Sequence, residues 1–163
     1  MDIVPLSREQ DRPRFDCGEP GINAFLHRGA LQDQKLFLGR TSVLIDAAVD
    51  PNRILGYHTM LISMVDQDLI AGDRPRIRRK IPVILLGQLA VDLEFQGRNY
   101  SNWLLSDVET RTVDVAENVG IRALMLDART ESLACWYEKR DFQRFSDSLR
   151  MFKSVASIRA LVR

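Results

Sequence analysis

Apolar positions along this chain change their spacing several times, and each change predicts an element. Residues 3–6 read as a short strand that runs into the turn-rich segment Asp16-Cys17-Gly18-Glu19-Pro20-Gly21. Ile22, Phe25, Leu26 and Ala30 then fall on one helical face. That helix either continues or breaks and restarts through residues 31–38. Residues 41–48, with Val43, Leu44 and Ile45, predict a strand. The turn signal Asp50-Pro51-Asn52 separates it from a second strand over 54–64, so the two form a hairpin. Residues 65–80 read as a connection, loop with a short helix. Residues 82–92 form the most apolar run, which predicts a central strand.

An amphipathic helix follows, from about residue 99 to 119. Leu104, Leu105, Val108, Thr112, Val115, Ala116 and Val119 mark its buried face, and Gly120 is placed to cap its end. A strand over 121–127, a short helix over 131–139 and closing strands over 142–145 and 150–155 complete the chain. This order predicts an α/β sandwich built on a mixed sheet. With 163 residues, a single domain spanning 1–163 is expected, large enough to bury a core without disulfides or a structural metal.

Composition narrows the function only a little. Apolar residues are 45% and charged residues 28%, ordinary for a soluble globular protein. No apolar run has membrane-spanning length, and Met1-Asp2-Ile3-Val4-Pro5 lacks the pattern of a secretion signal. Cys17 and Cys135 have no metal-type spacing and read as reduced cytosolic thiols. Net charge is +1, yet Arg74, Arg76, Arg78, Arg79 and Lys80 crowd one stretch without an acid among them. Such a patch attracts an anionic partner, and a solvated loop is the competing reading. His27 and His58 are isolated and read as structural or exposed, with no metal expected. Trp103 reads as a packing residue.

The chemistry is carried by the turn after the apolar strand. Gly97 permits close backbone approach, and Asn99 is the residue best able after glycine to adopt left-handed geometry. Unpaired N–H groups at the following helix start would form a site for phosphate oxygens, to which Arg98 adds a charge-assisted contact. By spacing alone this is a weak motif.

Gln96-Gly97-Arg98-Asn99-Tyr100-Ser101 nevertheless resembles the pyrophosphate signature of the GCN5-related N-acetyltransferases: Gln or Arg, two residues, Gly, one residue, Gly or Ala. Downstream, Ala134-Cys135-Trp136-Tyr137-Glu138-Lys139-Arg140-Asp141-Phe142 resembles the same family's A-x-x-F-Y-E-x-x-G-F segment. Asn99 and Ser101 depart from the small residues of the first block, and Asp141 from the glycine of the second. The resemblance implies the family's acyltransferase fold, a mixed, mostly antiparallel central sheet flanked by helices, and acetyl-CoA as co-substrate. It implies that backbone groups of Leu89, Ala90 and Val91 pair with pantetheine, and that Gln96, Gly97, Arg98, Asn99, Tyr100 and Ser101 hold the pyrophosphate. Tyr137 would donate a proton to the departing thiolate.

Phe15-Asp16-Cys17-Gly18-Glu19-Pro20, Ile22-Asn23-Ala24-Phe25-Leu26 and Leu85-Leu86-Gly87-Gln88-Leu89-Ala90-Val91-Asp92 are similar to segments of acetyltransferase toxins from bacterial toxin–antitoxin pairs. That similarity implies acetylation of the α-amino group of aminoacyl-tRNA, a block of translation, a small DNA-binding antitoxin, a homodimer and a cytoplasmic location. No general base is evident in the apolar strand, and Asp92 and Glu94 read as solvated turn acids. This favours an amine that loses its proton easily: an α-amine titrates near ~8 against ~10.4 for lysine. The basic cluster from Arg74 to Lys80 would meet tRNA phosphates, joined by Arg28, Lys35 and Arg40 if they share its face. Two other functions stay open, acetylation of small amines or protein N-termini and catalytically silent binding of acyl-CoA.

Overall fold

The computed structural model describes residues 1–66 and 79–162. Seven strands form one sheet: β1 (Asp2–Pro5), β2 (Arg40–Ile45), β3 (Gly56–Asp66), β4 (Lys80–Val91), β5 (Ala123–Asp127), β6 (Gln143–Arg144) and β7 (Arg150–Ser154). Their order is β1-β2-β3-β4-β5-β7-β6. β4 is the fourth of seven, the central place its unbroken apolar run predicts. β4 and β5 are parallel, while β1–β2, β2–β3, β5–β7 and β6–β7 are antiparallel. The expected mixed, mostly antiparallel sheet is therefore present. The helices are α1 (Pro20–Ala24), α2 (Ala30–Lys35), α3 (Tyr100–Asn118), α4 (Glu131–Glu138) and α5 (Val155–Val162).

By its internal packing the chain divides into two compact units, Met1–Leu61 with Gly87–Val108, and Ile62–Leu86 with Glu109–Arg163. In the first, α1 passes into α2 through a wider, underwound turn over Phe25–Gly29, so of the two expectations the helix continues without a break. Ile22, Leu26 and Ala30 are buried as their spacing predicts, against Phe15, Val43, Ile54 and Tyr57. The Tyr57 hydroxyl donates to the Ile22 carbonyl at 2.9 Å, and burial raises its pKa. Gly56 allows a close approach: a Cβ there would lie 2.9 Å from the Ala90 carbonyl oxygen and 2.9 Å from Leu104 Cδ1. In the second unit Val65, Ile81, Val83, Ala123, Met125, Phe145 and Phe152 form the core.

Three expectations need correcting. Val119 is 60% exposed, because α3 ends at Asn118 and the apolar stripe outruns the helix. Trp103 is 49% exposed, since it precedes the buried stripe of Leu104, Leu105, Val108 and Thr112 and lies off it. Gly120 does not take the positive φ of a left-handed cap; among the described residues Gly18 and Gly97 are the glycines that take a positive φ. The final residues also form a helix, α5, where only a strand to 155 is expected. Ser154 Oγ accepts from the Ser157 N–H at 3.1 Å and opens that helix, so a capping signal was present in the sequence.

Candidate active site

The first unit brings Leu89, Ala90, Val91 and Gln96 to Ser101 together in one strand–turn–helix passage. The Asp92 N–H donates to the Leu55 carbonyl at 2.9 Å, which fixes which edge of the strand faces β3. Alternation then gives the Ala90 backbone groups to β3 and turns those of Leu89 and Val91 away from it. Gln96 folds back on this edge, its Nε2 donating to the Val91 carbonyl at 3.0 Å and to the Cys17 carbonyl at 3.3 Å. The Leu89 backbone groups and the Val91 N–H therefore lie along the edge turned away from β3, beyond the β4–β5 pairs, which run to Leu86↔Leu126, where an extended, amide-bearing chain can line up.

The root of the turn is a buried charge network. Asp92 is only 2% exposed, which overturns its reading as a solvated acid. One of its oxygens meets Arg53 Nη2 at 3.1 Å and accepts from the Asp16 N–H at 3.1 Å; the other accepts from the Glu94 N–H at 3.0 Å. Arg53, itself buried, also reaches Glu94 Oε2 at 3.0 Å. Asp16 is tied in by the Gly18 N–H at 2.8 Å and by Asn23 Nδ2 at 2.7 Å, donors that lower its pKa. A carboxylate taken out of water must find such partners, and here Arg53, Asp16 and the adjoining Glu94 supply them.

Above this root, Gly97 and Asn99 both take positive φ, +77° and +67°. Asn99 thus adopts the left-handed geometry expected of it, and its carbonyl accepts from Asn102 N–H at 3.1 Å to begin α3. Among the described residues, the backbone N–H groups of Gly97 to Ser101 meet no acceptor. They carry the positive end of a 19-residue helix, which suits a diphosphate. The exposed Arg98 guanidinium stacks 5.3 Å from the Phe95 ring. Tyr100 packs with Leu44, Leu55, Val91 and Leu104, anchoring the helix start to the strand end.

Tyr137 lies in the second unit, on α4. Thr130 caps that helix, its Oγ1 accepting from the Leu133 N–H at 3.2 Å. The helix closes with the Phe142 N–H donating to the Tyr137 carbonyl at 3.2 Å and the Asp141 N–H to the Glu138 carbonyl at 3.1 Å. These paired bonds make a Schellman reversal, with Asp141 at φ +66° in the place where the motif has glycine. The reversal lays Phe142 edge-on to Tyr137, ring centroids 5.4 Å apart, and Trp136 sits edge-on at 4.9 Å. Burial pushes the phenol up to about 12, while Arg140 pulls the other way. No described residue hydrogen-bonds the Tyr137 hydroxyl, so its proton is uncommitted. A phenol held in this way is a proton donor across the neutral range.

Arg74, Arg76 and Arg78 lie outside the described residues, as does most of the predicted connection. Arg79 and Lys80 are exposed, and Lys80 lies 3.8 Å from Asp66. Sequence reasoning missed two features of the first unit: Arg53, and the pairing of His58 with Asp107. His58 Nε2 is 2.6 Å from Asp107 Oδ2, joining β3 to α3, and the buried Nδ1 has no partner. His58 is thus structural, and His27 hydrogen-bonds the Phe15 carbonyl at 2.8 Å.

No protein-family model matches the chain. A tRNA-acetylating toxin from Mycobacterium tuberculosis (strain ATCC 25618 / H37Rv) is 30% identical over 163 residues, covering 96% of this chain and 93% of the relative. Among solved structures, a mutant of the toxin AtaT bound to the C-terminus of the antitoxin AtaR and acetyl-CoA aligns with a TM-score of 0.80. It is 25% identical, over 98% of this chain and 96% of that one. AtaT complexed with acetyl-methionyl-tRNAfMet has the same fold, with a TM-score of 0.89 and 24% identity over 99% of each chain.

Proposed function

This chain belongs to the tRNA-acetylating toxins of the GCN5-related N-acetyltransferase family, and we propose that it acetylates the α-amino group of aminoacyl-tRNA with acetyl-CoA and so blocks translation. The Gly97 to Ser101 N–H groups receive the pyrophosphate, and the Leu89 and Val91 backbone groups align pantetheine. The amine nitrogen attacks the thioester carbonyl carbon, an amide C–N bond forms, and the C–S bond breaks. The nitrogen loses one proton to water, the departing thiolate takes one from the Tyr137 hydroxyl, and the phenolate recovers a proton from water before the next turnover. The observation that carries the reading is the left-handed turn at Asn99, which leaves the Gly97 to Ser101 N–H groups without a backbone acceptor among the described residues at the start of α3.

The substrate and partner follow the relatives. The mycobacterial relative is named for tRNA acetylation, and the AtaT complex contains an antitoxin segment and acetyl-CoA. An antitoxin that silences the enzyme is therefore its expected protein partner. Pools of acetyl-CoA and charged tRNA put its action in the cytoplasm. No helix among the described residues is long and apolar enough to cross a membrane.

The test is acetyl transfer from radiolabelled acetyl-CoA to a total pool of charged tRNA and to the same pool after deacylation. Label on the charged pool alone is the expected result. Thiol release without label on tRNA would move the substrate to a small amine or protein N-terminus. Coenzyme binding without thiol release would mean a silent acyl-CoA binder.

A further inference from the structure

An anomaly in the first unit lies at the end of α2. The helix closes with the Leu38 N–H donating to the Asp33 carbonyl at 2.9 Å and the Phe37 N–H to the Gln34 carbonyl at 3.3 Å. This is the same Schellman reversal that ends α4, and Phe37 holds the left-handed position at φ +59°. Glycine is favoured there, and asparagine or aspartate tolerated; a bulky aromatic side chain in left-handed geometry is a steric outlier. The ring gains nothing from packing in return, being 81% exposed, and Leu36 and Leu38 beside it are also exposed. A strained residue that presents an aromatic ring to solvent invites a functional explanation.

Charge indicates what the ring receives. The Arg40 guanidinium sits 5.1 Å from the Phe37 ring centroid, and the exposed Lys35 precedes the reversal. An aromatic face set among cations is the arrangement that binds single-stranded nucleic acid, bases stacking while the cations track phosphate. Position agrees. β2 pairs with β3 from Arg40↔Met60 to Leu44↔Gly56, and Leu55, next to Gly56, bonds Asp92 at the root of the phosphate turn. Phe37 therefore stands beyond the opposite end of β2, about 13 Å or more from the turn along the strand. An acceptor must approach the thioester from the end that the coenzyme does not fill.

We propose that Phe37, with Arg40 and Lys35, is a stacking platform for an unpaired nucleotide at the charged 3′ end of the tRNA substrate. The proposal rests on the aminoacyl-tRNA reading above. It explains why the chain keeps phenylalanine where glycine would relieve strain: the ring serves binding at the expense of stability.

The test compares wild type, Phe37→Gly and Phe37→Trp in steady-state acetylation of aminoacyl-tRNA, with thermal melting in parallel. Phe37→Gly should melt a few degrees higher as the strain is relieved. Its KM for aminoacyl-tRNA should rise roughly tenfold, the size of one lost base stack, with the change in KM rather than kcat. Phe37→Trp should keep a KM near wild type. A Phe37→Gly protein with wild-type KM would overturn the platform while leaving the substrate reading intact, and so would a change confined to its self-association. Wild-type protein that fails to acetylate charged tRNA at all would overturn the substrate reading, and the platform with it.

Discussion

Arg53 and Asp92, 39 residues apart in the chain, form a buried ion pair with nitrogen and oxygen 3.1 Å apart at the root of the phosphate turn. The same Asp92 carboxylate accepts backbone N–H groups from Asp16 and Glu94, so one side chain joins three loops. The turn is held from beneath by charge, and its outer N–H groups stay unpaired for a ligand.

Without the Asp92 charge the buried Arg53 keeps only the exposed Glu94 as a counter-charge, 3.0 Å away, so most of its compensation is lost. Asp92→Asn should lower the unfolding free energy by about 3 kcal/mol, read by urea denaturation. The double change Arg53→Met with Asp92→Asn should lose less than the sum of the single changes, because no orphan charge remains. Strict additivity would mean that the pair is not coupled.

Asn99 at φ +67° gives a second expectation. Asn99→Ala should destabilise by roughly 1–2 kcal/mol, because a Cβ without a compensating side-chain hydrogen bond is strained in left-handed geometry. Asn99→Gly should fold at least as well and keep the thermal shift produced by acetyl-CoA. Equal melting temperatures for the Ala and Gly variants would show that the turn is not under this constraint.

The pH profile tests Tyr137. Burial holds its phenol near 12, so the acid form persists at every working pH. The sign is that of a raised acid: the neutral phenol is favoured by folding below the unfolded value of ~10 and that preference is lost only above it. Between pH 6 and 9, kcat/KM should rise as the substrate amine loses its proton, with an apparent pKa at or below ~8 for an α-amine. A descending limb inside that window that persists in Tyr137→Phe would assign the acid to another group, whereas one that vanishes would place the Tyr137 phenol well below the value burial gives it.

Much of this site was legible in the sequence, and the part that was not has a physical reason. Asn99 and Asp141 stand where the family pattern has small residues or glycine, and the left-handed tolerance of Asn and Asp predicts the φ values of +67° and +66° that they adopt. The apolar run through Leu89 to Val91 likewise predicts a central strand. Arg53 and Asp92 were not legible as a pair, since each sits in a polar turn and only tertiary folding brings the turns together. Phe37 was hidden for a different reason. Hydrophobic periodicity records which face a residue takes, and carries no information on the sign of φ. The short α5 buries Ile158 while leaving Leu161 exposed, too little pattern to outweigh the preceding strand.

The decisive experiment is mass analysis of the aminoacyl-adenosine released by nuclease from tRNA treated with the protein and acetyl-CoA, run beside Tyr137→Phe. One added acetyl group, placed by fragmentation on the α-amine, formed by wild type and at least about 100-fold more slowly by Tyr137→Phe, is the predicted result. Unmodified aminoacyl-adenosine with wild type, while acetyl-CoA still binds, would contradict the proposed function.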